Sequence, residues 1–552
     1  MILDTLGIDY VILEANERVG GRIYTHRFND DPIEGINANI GDPARYDYVD
    51  IGAMRFPNIG FMKRVFDLFD TLDLRKDGLL IEYKYSSPNT YLHYNGRRRH
   101  TADIVPQLNG QYDDFFSVSS ENGGAVPGNY VAQGVDRVLG DVFRPYADLF
   151  NDPNTTFQEA WAHLQQEGPY STRAHMLGRA SPTLPEAVIQ WLETFSSATG
   201  LYNNAFVESA MDAIDFGSVT AAPQSAGGLP KEEVNYAWYC IDGGSDHIIR
   251  RMVDGISTTP LTKHRVTKIK STEDGTMQVT YLNPGGMTLQ EELSQVICTV
   301  PLGCLADIEI PVGDISYLQR MAIRSLNYDT STKIALKFRT RWWEDPAVMG
   351  ERTIEGGVSS SDIPIRTCVY PSYGFTATGT VTGVMLASYT WAQDAQRLGG
   401  LSQGKGSEAD RLLIDLTLRN LSQLHGIPIE KFGPLLDYYT YNWHDDENAR
   451  GAFALFGPGQ FSHHDPGSSL FASIKAPAAG GKLHIAGEAT SVHHAWVLGS
   501  LNSAWRAVYN ALGRRENAEQ LREEMRAKWD VPEEENPDDL LKLALLSYHG
   551  CL

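Results

Sequence analysis

The chain has 552 residues, more than one simple hydrophobic core accommodates, so we expect two or three domains. Its 42% hydrophobic and 10% aromatic residues are typical of a globular protein and exclude a largely disordered chain. The formal net charge of −22 argues against a nucleic-acid partner, because binding to phosphates needs clustered lysine and arginine. The sequence contains no apolar run long enough to cross a bilayer and no metal-ligand spacing, so we expect neither a membrane partner nor a metal.

The first half of the chain is predicted to combine short strands with a long helical stretch. Residues 1–7 have the pattern of a helix end, residues 8–15 are predicted as a buried strand, and residues 46–57 are rich in turns. From about residue 129 to residue 216, apolar residues recur at three- and four-residue spacing. That spacing predicts helices at 130–150, 156–166, 184–198 and 206–214. The small residues of 221–230 predict a linker.

The second half is predicted to be richer in strands. Alternating or continuous apolar runs predict strands at 265–269, 278–282, 296–300, 333–339, 367–371 and 384–390. An amphipathic helix is predicted at 411–424, a last buried strand at 482–486, and a helix at 499–512. The charged tail from residue 516 is predicted to form a peripheral helix followed by a flexible end.

The most specific pattern near the start is residues 9–22, an apolar run that ends in Glu14-Ala15 and continues to Arg18, Gly21 and Arg22. A carboxylate at the end of a buried strand can accept hydrogen bonds from both hydroxyls of an adenosine ribose. Paired glycines let the backbone approach a pyrophosphate, and arginine offers fork-shaped donors for it. An acid after a strand is by itself more often an ordinary surface residue. The glycines and arginines that follow favour a dinucleotide site.

A second specific pattern lies near the other end, where Gly487-Glu488 is followed by Trp496-Val497. Together the two patterns resemble the flavin-dependent amine oxidases and, more narrowly, the L-amino-acid oxidases, over about residues 8–512. The resemblance implies that Glu488 binds the ribityl and phosphate region of FAD, with Gly487 allowing close approach. It also implies that the backbone of Val266 lies against adenine, although a plain core valine is an equally good interpretation.

The segment Asp50 to Pro57 resembles the part of L-amino-acid oxidases that lines the flavin, here Gly52, Ala53, Met54 and Arg55. The resemblance implies that Arg55 binds the substrate carboxylate as a bidentate pair, a task that suits a planar guanidinium. Oxidases of amines without a carboxylate usually have no use for this arginine. The alternative is a structural arginine in an ion pair.

Further residues match the family's substrate site. Lys333 matches a lysine that holds a water beside flavin N5; its alternative is an edge-strand lysine in solvent. Trp496 matches one wall of an aromatic slot in front of the flavin, and Phe453 falls near the opposite wall. Tyr370 is a candidate second donor to the substrate carboxylate. Both Phe453 and Tyr370 are also consistent with ordinary core aromatics.

Two positions depart from what parts of the family carry. Ala452 stands about where monoamine oxidases have the cysteine that links the flavin, so we expect non-covalent FAD. Asp212 stands where some members have a histidine that was proposed as a base. We therefore assign no protein base.

The resemblance implies an α/β fold with a Rossmann-like FAD-binding domain whose first strand is missing, a mixed-sheet substrate domain and an inserted helical domain. We expect FAD-binding segments at 1–60, 226–315 and 466–515, and substrate-domain segments at 61–128 and 316–465. The helical domain is expected at 129–225, and a C-terminal tail at 516–552.

The expected reaction is oxidative deamination of an L-α-amino acid, with hydride transfer from Cα to flavin N5 and molecular oxygen as oxidant. The products are the 2-oxo acid, ammonia and hydrogen peroxide. The alternatives are an amine or polyamine oxidase, and a truncated inactive homologue that does not bind flavin. The sequence leaves a homodimer open and assigns no compartment.

In that family a strand and a Gly-x-Gly-x-x-Gly loop precede the first motif. A similar glycine pattern at 404–409 does not follow a predicted strand, so it does not supply the loop. We therefore expect that the chain is truncated. As written, it should bind flavin weakly or fold poorly, because the pyrophosphate would lack backbone donors and a helix N-terminus.

Overall fold

The structure of the protein, a computed structural model, describes residues 1–107, 110–196, 198–217, 237–461, 469–538 and 540. The predicted linker at 221–230 lies outside these described residues. Within them, no helix combines the length and the apolar character needed to cross a bilayer.

A seven-stranded mixed sheet forms the largest β-structure. In spatial order its strands are Leu435–Asn442, Ser331–Phe338, Gly383–Trp391, Thr367–Val369, Val358–Ser361, Tyr91–Tyr94 and Arg97–His100. Alternate residues of Ser331–Phe338 point to opposite faces. Ile334 and Leu336 pack against the helix Glu408–His425, whereas Ala335 packs with Val49 and Ile51. Lys333 shares this second face by alternation, which directs it toward the segment that follows Asp50.

Smaller sheets surround this one. Antiparallel strands form a sheet of Thr288–Leu293, Met277–Leu282 and Arg265–Ser271, and another of Phe56–Pro57, Trp238–Ile241 and Leu80–Glu82. Val296–Cys298 pairs in parallel with Leu483–Ile485. Two short antiparallel ladders join Thr25–Arg27 to Tyr48–Asp50 and Tyr328–Asp329 to Phe453–Ala454. The strands predicted at 265–269, 278–282, 296–300 and 482–486 are therefore present.

The helical stretch contains Gly128–Gln133, Val135–Asn151, Phe157–Leu164, Thr172–Gly178, Glu186–Phe195 and Phe206–Asp215. The single helix predicted at 130–150 is wrong, because Gly134 divides it with a φ of +83°. A Cβ at Gly134 would lie 2.7 Å from the ring of Tyr112, so that position also requires glycine. The helix Thr172–Gly178 was not predicted. Its length of 7 residues gives little periodicity to read.

The other helices connect or cover the sheets. They are Ile2–Thr5, Pro32–Asn37, Lys63–Thr71, Asp246–Asp254, Leu302–Leu305, Tyr317–Ser325, Pro346–Met349, Ala392–Gly399, Glu408–His425, Leu470–Lys475, Val497–Leu512 and Ala518–Trp529.

The strand predicted at 8–15 is not formed as a strand. The segment is extended and makes one bridge, between Leu13 and Leu261. The Glu14 N–H donates to the Leu261 carbonyl (2.9 Å), and the His264 N–H donates to the Glu14 carbonyl (2.8 Å). These bonds hold the end of the segment in place. A β-strand, however, requires repeated hydrogen bonds to a neighbouring strand along several residues.

The tail differs from its prediction. The helix Ala518–Trp529 buries Leu521 and Met525 in a cluster with Trp505 and Tyr509. Beyond this helix, Glu534 and Glu535 are buried. The predicted tail helix is therefore present, but it packs against the core instead of lying at the periphery, and residues 541–552 of the predicted flexible end lie outside the described residues. Charged residues indicate solvent exposure only when no distant partner is available to them.

Candidate active site

A cavity of about 130 Å³ lies where four parts of the chain meet: residues 52–56, the helix Phe206–Asp215, the short ladder at 329 and 453, and the loop 492–497. Its lining includes most of the residues predicted for the flavin-facing and substrate site: Gly52, Ala53, Met54, Arg55, Phe453, Trp496 and Val497. The structure therefore brings together side chains that are more than 400 positions apart in the sequence.

Close backbone contact joins the two N-terminal motifs. The Gly52 N–H donates to the Tyr24 carbonyl (3.0 Å), and the Ala53 N–H donates to the Arg22 carbonyl (3.3 Å). A Cβ at Gly52 would lie 1.9 Å from the Arg22 carbonyl oxygen, so no other residue fits without moving the backbone. This contact holds the backbone of the segment that carries Arg55 against the first motif.

Arg55 is enclosed by aromatic rings. Its guanidinium carbon lies 4.9 Å from the centre of the Tyr85 ring, 5.4 Å from Phe216 and 5.9 Å from Trp238. Burial alone would lower the pKa of Arg55, but nearby phenol groups, Tyr85 foremost, raise it overall. Across the described ranges, Arg55 forms no salt bridge. The alternative of an arginine held in a structural ion pair therefore finds no support here.

Lys333 lies in an inner strand of the seven-stranded sheet and is 2% exposed, so it is not an edge-strand lysine in solvent. Its Nζ donates to the carbonyls of Asp50 (3.1 Å) and Gly52 (2.9 Å), and lies 4.6 Å from the centre of the Tyr389 ring. Burial is the main cause that lowers the pKa of Lys333 to about 7, while Asp50 opposes the shift. Lys333 thus contacts Gly52 and Tyr389, which both line the cavity.

The aromatic end of the cavity carries backbone strain. Trp496 packs edge-on against Phe216 at 5.0 Å, and its buried Nε1 has no hydrogen-bond partner within the described residues. Ala495, which also lines the cavity, has a φ of +65° although it is not glycine. A side chain in this left-handed region costs free energy, and such residues are concentrated at functional sites. Phe453 pairs with Asp329 in a short ladder, and both residues line the cavity.

An acidic wall of the cavity was not predicted. Glu208, Asp212 and Asp215 are spaced four and three residues apart, which places them on one face of the helix Phe206–Asp215, and all line the cavity. The sequence signal was available: acids at helical spacing within an otherwise apolar helix. A charged stripe usually marks the solvent-facing side of a helix, so this signal alone favours a surface position.

Histidines bind two of these acids. His494 Nδ1 lies 2.8 Å from Glu208, and His493 Nδ1 lies 2.9 Å from Asp215. Burial by itself would lower the pKa of each histidine, but the adjacent carboxylate outweighs it and raises that pKa. Burial, followed by Asp215 and Glu208, raises the pKa of the third acid, Asp212, to about 7.

The surroundings of the ion pair Arg22–Glu488 show whether the ribityl region of FAD could be accommodated there. Arg22 donates to Glu488 Oε1 (2.8 Å) and to the Ala452 carbonyl (3.1 Å), and the Ala454 N–H also donates to Oε1 (2.6 Å). Glu488 Oε2 is buried without a partner in the described part of the chain. Gly487 has a φ of +130°, and a Cβ there would meet no atom closer than 4.0 Å. An unsatisfied buried carboxylate oxygen and a backbone that a group can approach at Gly487 fit a hydroxylated chain such as the ribityl group.

The residues predicted for the adenosine end do not line the cavity. The Glu14 carboxylate accepts a hydrogen bond from the Asn16 N–H (2.7 Å), with Ala15 between the two residues. Arg18 donates to the Gly21 carbonyl (2.7 Å). Val266 lies in the strand Arg265–Ser271 and pairs with Tyr281. Their proposed contacts to adenine, ribose and pyrophosphate remain predictions.

Tyr370 is placed away from Arg55. Its hydroxyl bonds with His425 Nε2 (2.6 Å) and Ser359 Oγ (3.0 Å) in the core between the large sheet and the helix Glu408–His425. It borders a separate cavity of about 40 Å³. Because the hydroxyl is already occupied on that side, the structure does not bring Tyr370 into the substrate site.

Comparison with known proteins agrees with this arrangement. The family model of flavin-containing amine oxidoreductases matches residues 2–512. A Dictyostelium discoideum protein, provisionally named a bifunctional amine oxidase, is 38% identical over 98% of this chain, which spans 47% of that protein's length. L-amino-acid oxidase 4 of Hebeloma cylindrosporum is 33% identical over 93% of this chain and 79% of its own length.

Solved structures show the same fold at low identity. Wild-type putrescine oxidase bound to putrescine superposes with a TM-score of 0.62 at 16% identity, covering 93% of this chain and 96% of its own. Cyclohexylamine oxidase from Brevibacterium oxydans gives 0.58 at 16% identity, with 95% of each chain covered. The expected fold class is confirmed.

Proposed function

The chain belongs to the family of flavin-containing amine oxidoreductases, and from that premise we propose that it oxidatively deaminates an L-α-amino acid. Its cofactor is FAD. The proposed overall reaction consumes the amino acid, water and molecular oxygen and yields the 2-oxo acid, ammonia and hydrogen peroxide.

The observation that carries the proposal is Arg55, a guanidinium inside the cavity without a salt-bridge partner in the described ranges. A buried charge is costly unless a counter-ion meets it, and a substrate carboxylate would supply one. A simple amine would leave Arg55 unpaired. The identity of 33% with an L-amino-acid oxidase supports the same substrate class.

The remaining residues have roles that follow from their positions. When bound, FAD accepts the hydride from the substrate Cα. Trp496 and Phe453 present rings that would orient the substrate between them, and Arg55 would fix its carboxylate. Glu488 and Arg22 would hold the ribityl region, with Glu14, Arg18 and Gly21 as candidates for the adenosine end. Ala452 cannot form a thioether, so the cofactor would be held without a covalent bond.

We expect Lys333 to lie near the reacting part of the flavin and not to bind the substrate carboxylate. Its Nζ touches the backbone of Gly52, one of the flavin-facing residues of the resemblance. With a pKa lowered to about 7 by burial, this amine can change its protonation state near neutral pH. We propose that it assists the reaction with oxygen.

A second candidate function, oxidation of amines without a carboxylate, is favoured by one observation. Four carboxyl groups line the cavity, those of Glu208, Asp212, Asp215 and Asp329, against the guanidinium of Arg55. An acidic cavity attracts cationic amines.

Matched substrates separate the candidates. L-norleucine and n-pentylamine differ by the α-carboxylate alone, as do L-lysine and cadaverine. The purified chain is first examined for flavin absorbance and bound FAD per chain, and peroxide formation is then measured with each pair. The proposal expects turnover of the amino acids and little of the amines. Turnover of the amines alone would establish the second candidate, and a colourless chain without turnover would favour a flavin-free homologue.

A further inference from the structure

We propose that Asp212, with Asp329, forms an acidic subsite that selects L-amino acids whose side chain ends in a cation, such as lysine or ornithine. The inference rests on the proposed function, because it takes the substrate carboxylate to be bound by Arg55. It adds what that function leaves open, the class of side chain.

The first argument is that Asp212 differs from its neighbours on the acidic wall. Glu208 and Asp215 are each bound by a histidine at hydrogen-bond distance. Within the described residues, the carboxyl of Asp212 makes no hydrogen bond and no ion pair. Asp212 is solvent-exposed, and it lines the cavity. It is thus a carboxyl aimed at the space that a substrate occupies.

Asp329 contributes a second carboxyl from a different element. It lies in the ladder Tyr328–Asp329 with Phe453–Ala454, so it enters the cavity from the sheet while Asp212 enters from the helix. One oxygen accepts the Ala392 N–H (3.2 Å). The hydroxyl of Tyr389, also in the lining, is acted on electrostatically by both acids. Asp212 and Asp329 are thus both near Tyr389, which lines the same cavity.

The cationic and acidic side chains of the cavity do not pair with one another. Asp212 and Arg55 are close enough for Arg55 to favour the carboxylate, yet they form no salt bridge. Burial raises the pKa of Asp212 to about 7 and that of Asp329 to about 6, and within the described residues neither carboxyl is paired with a cation in a salt bridge. A ligand with one anionic and one additional cationic end would satisfy Arg55 and the acids together.

The α-ammonium of the substrate is the less suitable partner for Asp212. Hydride transfer requires the α-amine to be neutral, and an adjacent carboxylate would keep it protonated. A side-chain ammonium is not consumed in the reaction and can remain charged throughout. The acids therefore suit recognition of the substrate's far end.

The test compares L-lysine with L-norleucine, which has the same carbon chain without the terminal ammonium. We expect the wild-type chain to favour lysine by at least ~10-fold in kcat/KM, since a hydrogen bond to a charged group is worth about that much. Asp212→Asn should remove most of the preference, because kcat/KM should fall much further for lysine than for norleucine. Asp329→Asn should reduce the preference less. Asp141→Asn removes the same charge from an exposed position of the helical region and serves as the control.

Binding supplies a readout apart from turnover. L-lysine should raise the melting temperature of the anaerobic flavin-loaded enzyme more than L-norleucine, and Asp212→Asn should abolish the difference. Bound FAD per chain verifies that the variant folds. Equal losses for lysine and norleucine would overturn the subsite, since they would point to Asp212 acting at the α-amine. Absence of any wild-type preference would overturn it too.

Failure of the proposed function gives a different pattern. If amino acids are not oxidised but cadaverine and n-pentylamine are, the amino-acid assignment falls. The subsite is then judged on the amine pair: loss of a cadaverine preference in Asp212→Asn would support it, and no change would refute it.

Discussion

Two walls of the cavity hold charge in opposite ways. On the cationic wall, Arg55 lies among aromatic rings. Behind it, Lys333 contacts the lining residue Gly52 and donates to backbone carbonyls; neither residue forms a salt bridge in the described part of the chain. On the acidic wall, Glu208 and Asp215 are bound by histidines, whereas the Asp212 carboxyl has no hydrogen-bond or ion-pair partner among the described residues. The number of charged residues in the lining is therefore a poor measure of the charge that a substrate meets. What a substrate meets is the small set of groups that the protein has not already neutralised.

The acidic wall is supported by hydrogen bonds from the tail. Glu534, from the tail, accepts hydrogen bonds from the Ser491 hydroxyl (2.5 Å), the Val492 N–H (3.0 Å) and the Asn502 amide (2.9 Å). Arg506 binds Glu535 at 2.8 Å. The loop held in this way carries His493 and His494, the partners of the acids. The position of the acidic wall therefore depends on residues near the end of the described chain.

The largest effect is expected from breaking the cationic wall. Arg55→Met should abolish saturable oxidation of amino acids, because losing one partner of a buried charge-assisted pair costs about 2–5 kcal/mol. Steady-state peroxide kinetics with an amino acid would measure the loss in kcat/KM.

Arg55→Lys is the matched control. It keeps the charge but not the fork of donors, so it should recover only part of the activity. Bound FAD and circular dichroism should match the wild type in both variants. An unchanged KM for amino acids in Arg55→Met would show that the carboxylate binds elsewhere.

The support of the acidic wall gives the next prediction. Burial alone would raise the pKa of Glu534, but Lys475 and neighbouring donors hold it at about 2, below its ordinary 4.5. A depressed pKa stabilises the folded chain above the ordinary value, and this contribution is lost as the pH falls from about 4.5 toward 2. Glu534→Gln should therefore lower the free energy of unfolding by about 3 kcal/mol near neutral pH.

Denaturant titrations from pH 7 down to pH 3 would test this prediction. The difference between Glu534→Gln and wild type should shrink toward the acid end. Glu533→Gln, at the exposed neighbouring position, is the control and should change stability little at any pH. A constant difference across the range would mean that the Glu534 charge contributes nothing.

The two walls also differ in how far the sequence predicts them. Arg55 and Gly52 lie in one contiguous motif, so a single short segment of sequence predicts both. In the structure, Gly52 approaches the Arg22 backbone so closely that only glycine fits there. Arg22 and Glu488 were predicted from separate motifs, and the structure pairs them. The fold class followed from the same motifs.

The acidic wall could not be predicted in the same way. Its histidines lie about 280 positions from their acids, and Glu534 lies in a charged tail that resembles a solvent-exposed segment. Burial of such charges depends on partners that only the tertiary structure supplies. Tyr370 shows the opposite limit: its local sequence fits a donor, but in the structure its hydroxyl bonds with His425, a partner that the sequence does not reveal.

A smaller effect is expected at Lys333. Lys333→Met should slow the reaction of the reduced enzyme with oxygen by about 10-fold or more, with less effect on reduction by substrate, because charge near the reacting oxygen stabilises its reduction. Stopped-flow measurement of each half-reaction would separate the two rate constants. Because burial lowers the pKa of Lys333 to about 7, the wild-type oxygen reaction should also change with pH near that value.

Lys337→Met is the comparator for Lys333. It removes a lysine from the same strand and face, but one that is paired with Asp47 at 2.6 Å. It should cost stability while leaving the oxygen reaction near wild type. Equal slowing of both half-reactions in Lys333→Met, or of neither, would mean that Lys333 is structural.

The smallest effect is expected at Tyr370, a residue that belongs to neither wall. Tyr370→Phe removes a hydroxyl that bonds with His425 and Ser359, so it should lower the free energy of unfolding by about 1 kcal/mol. KM for amino acids should stay within about twofold of wild type, as for substitutions outside a site.

Tyr389→Phe, at a cavity-lining tyrosine close to Arg55, is the comparator and should alter KM more. Substrate titrations and denaturant unfolding of both variants would decide the matter. A large rise in KM for Tyr370→Phe with unchanged stability would support Tyr370 as a second donor to the substrate carboxylate, and would mean that the cavity rearranges when substrate binds.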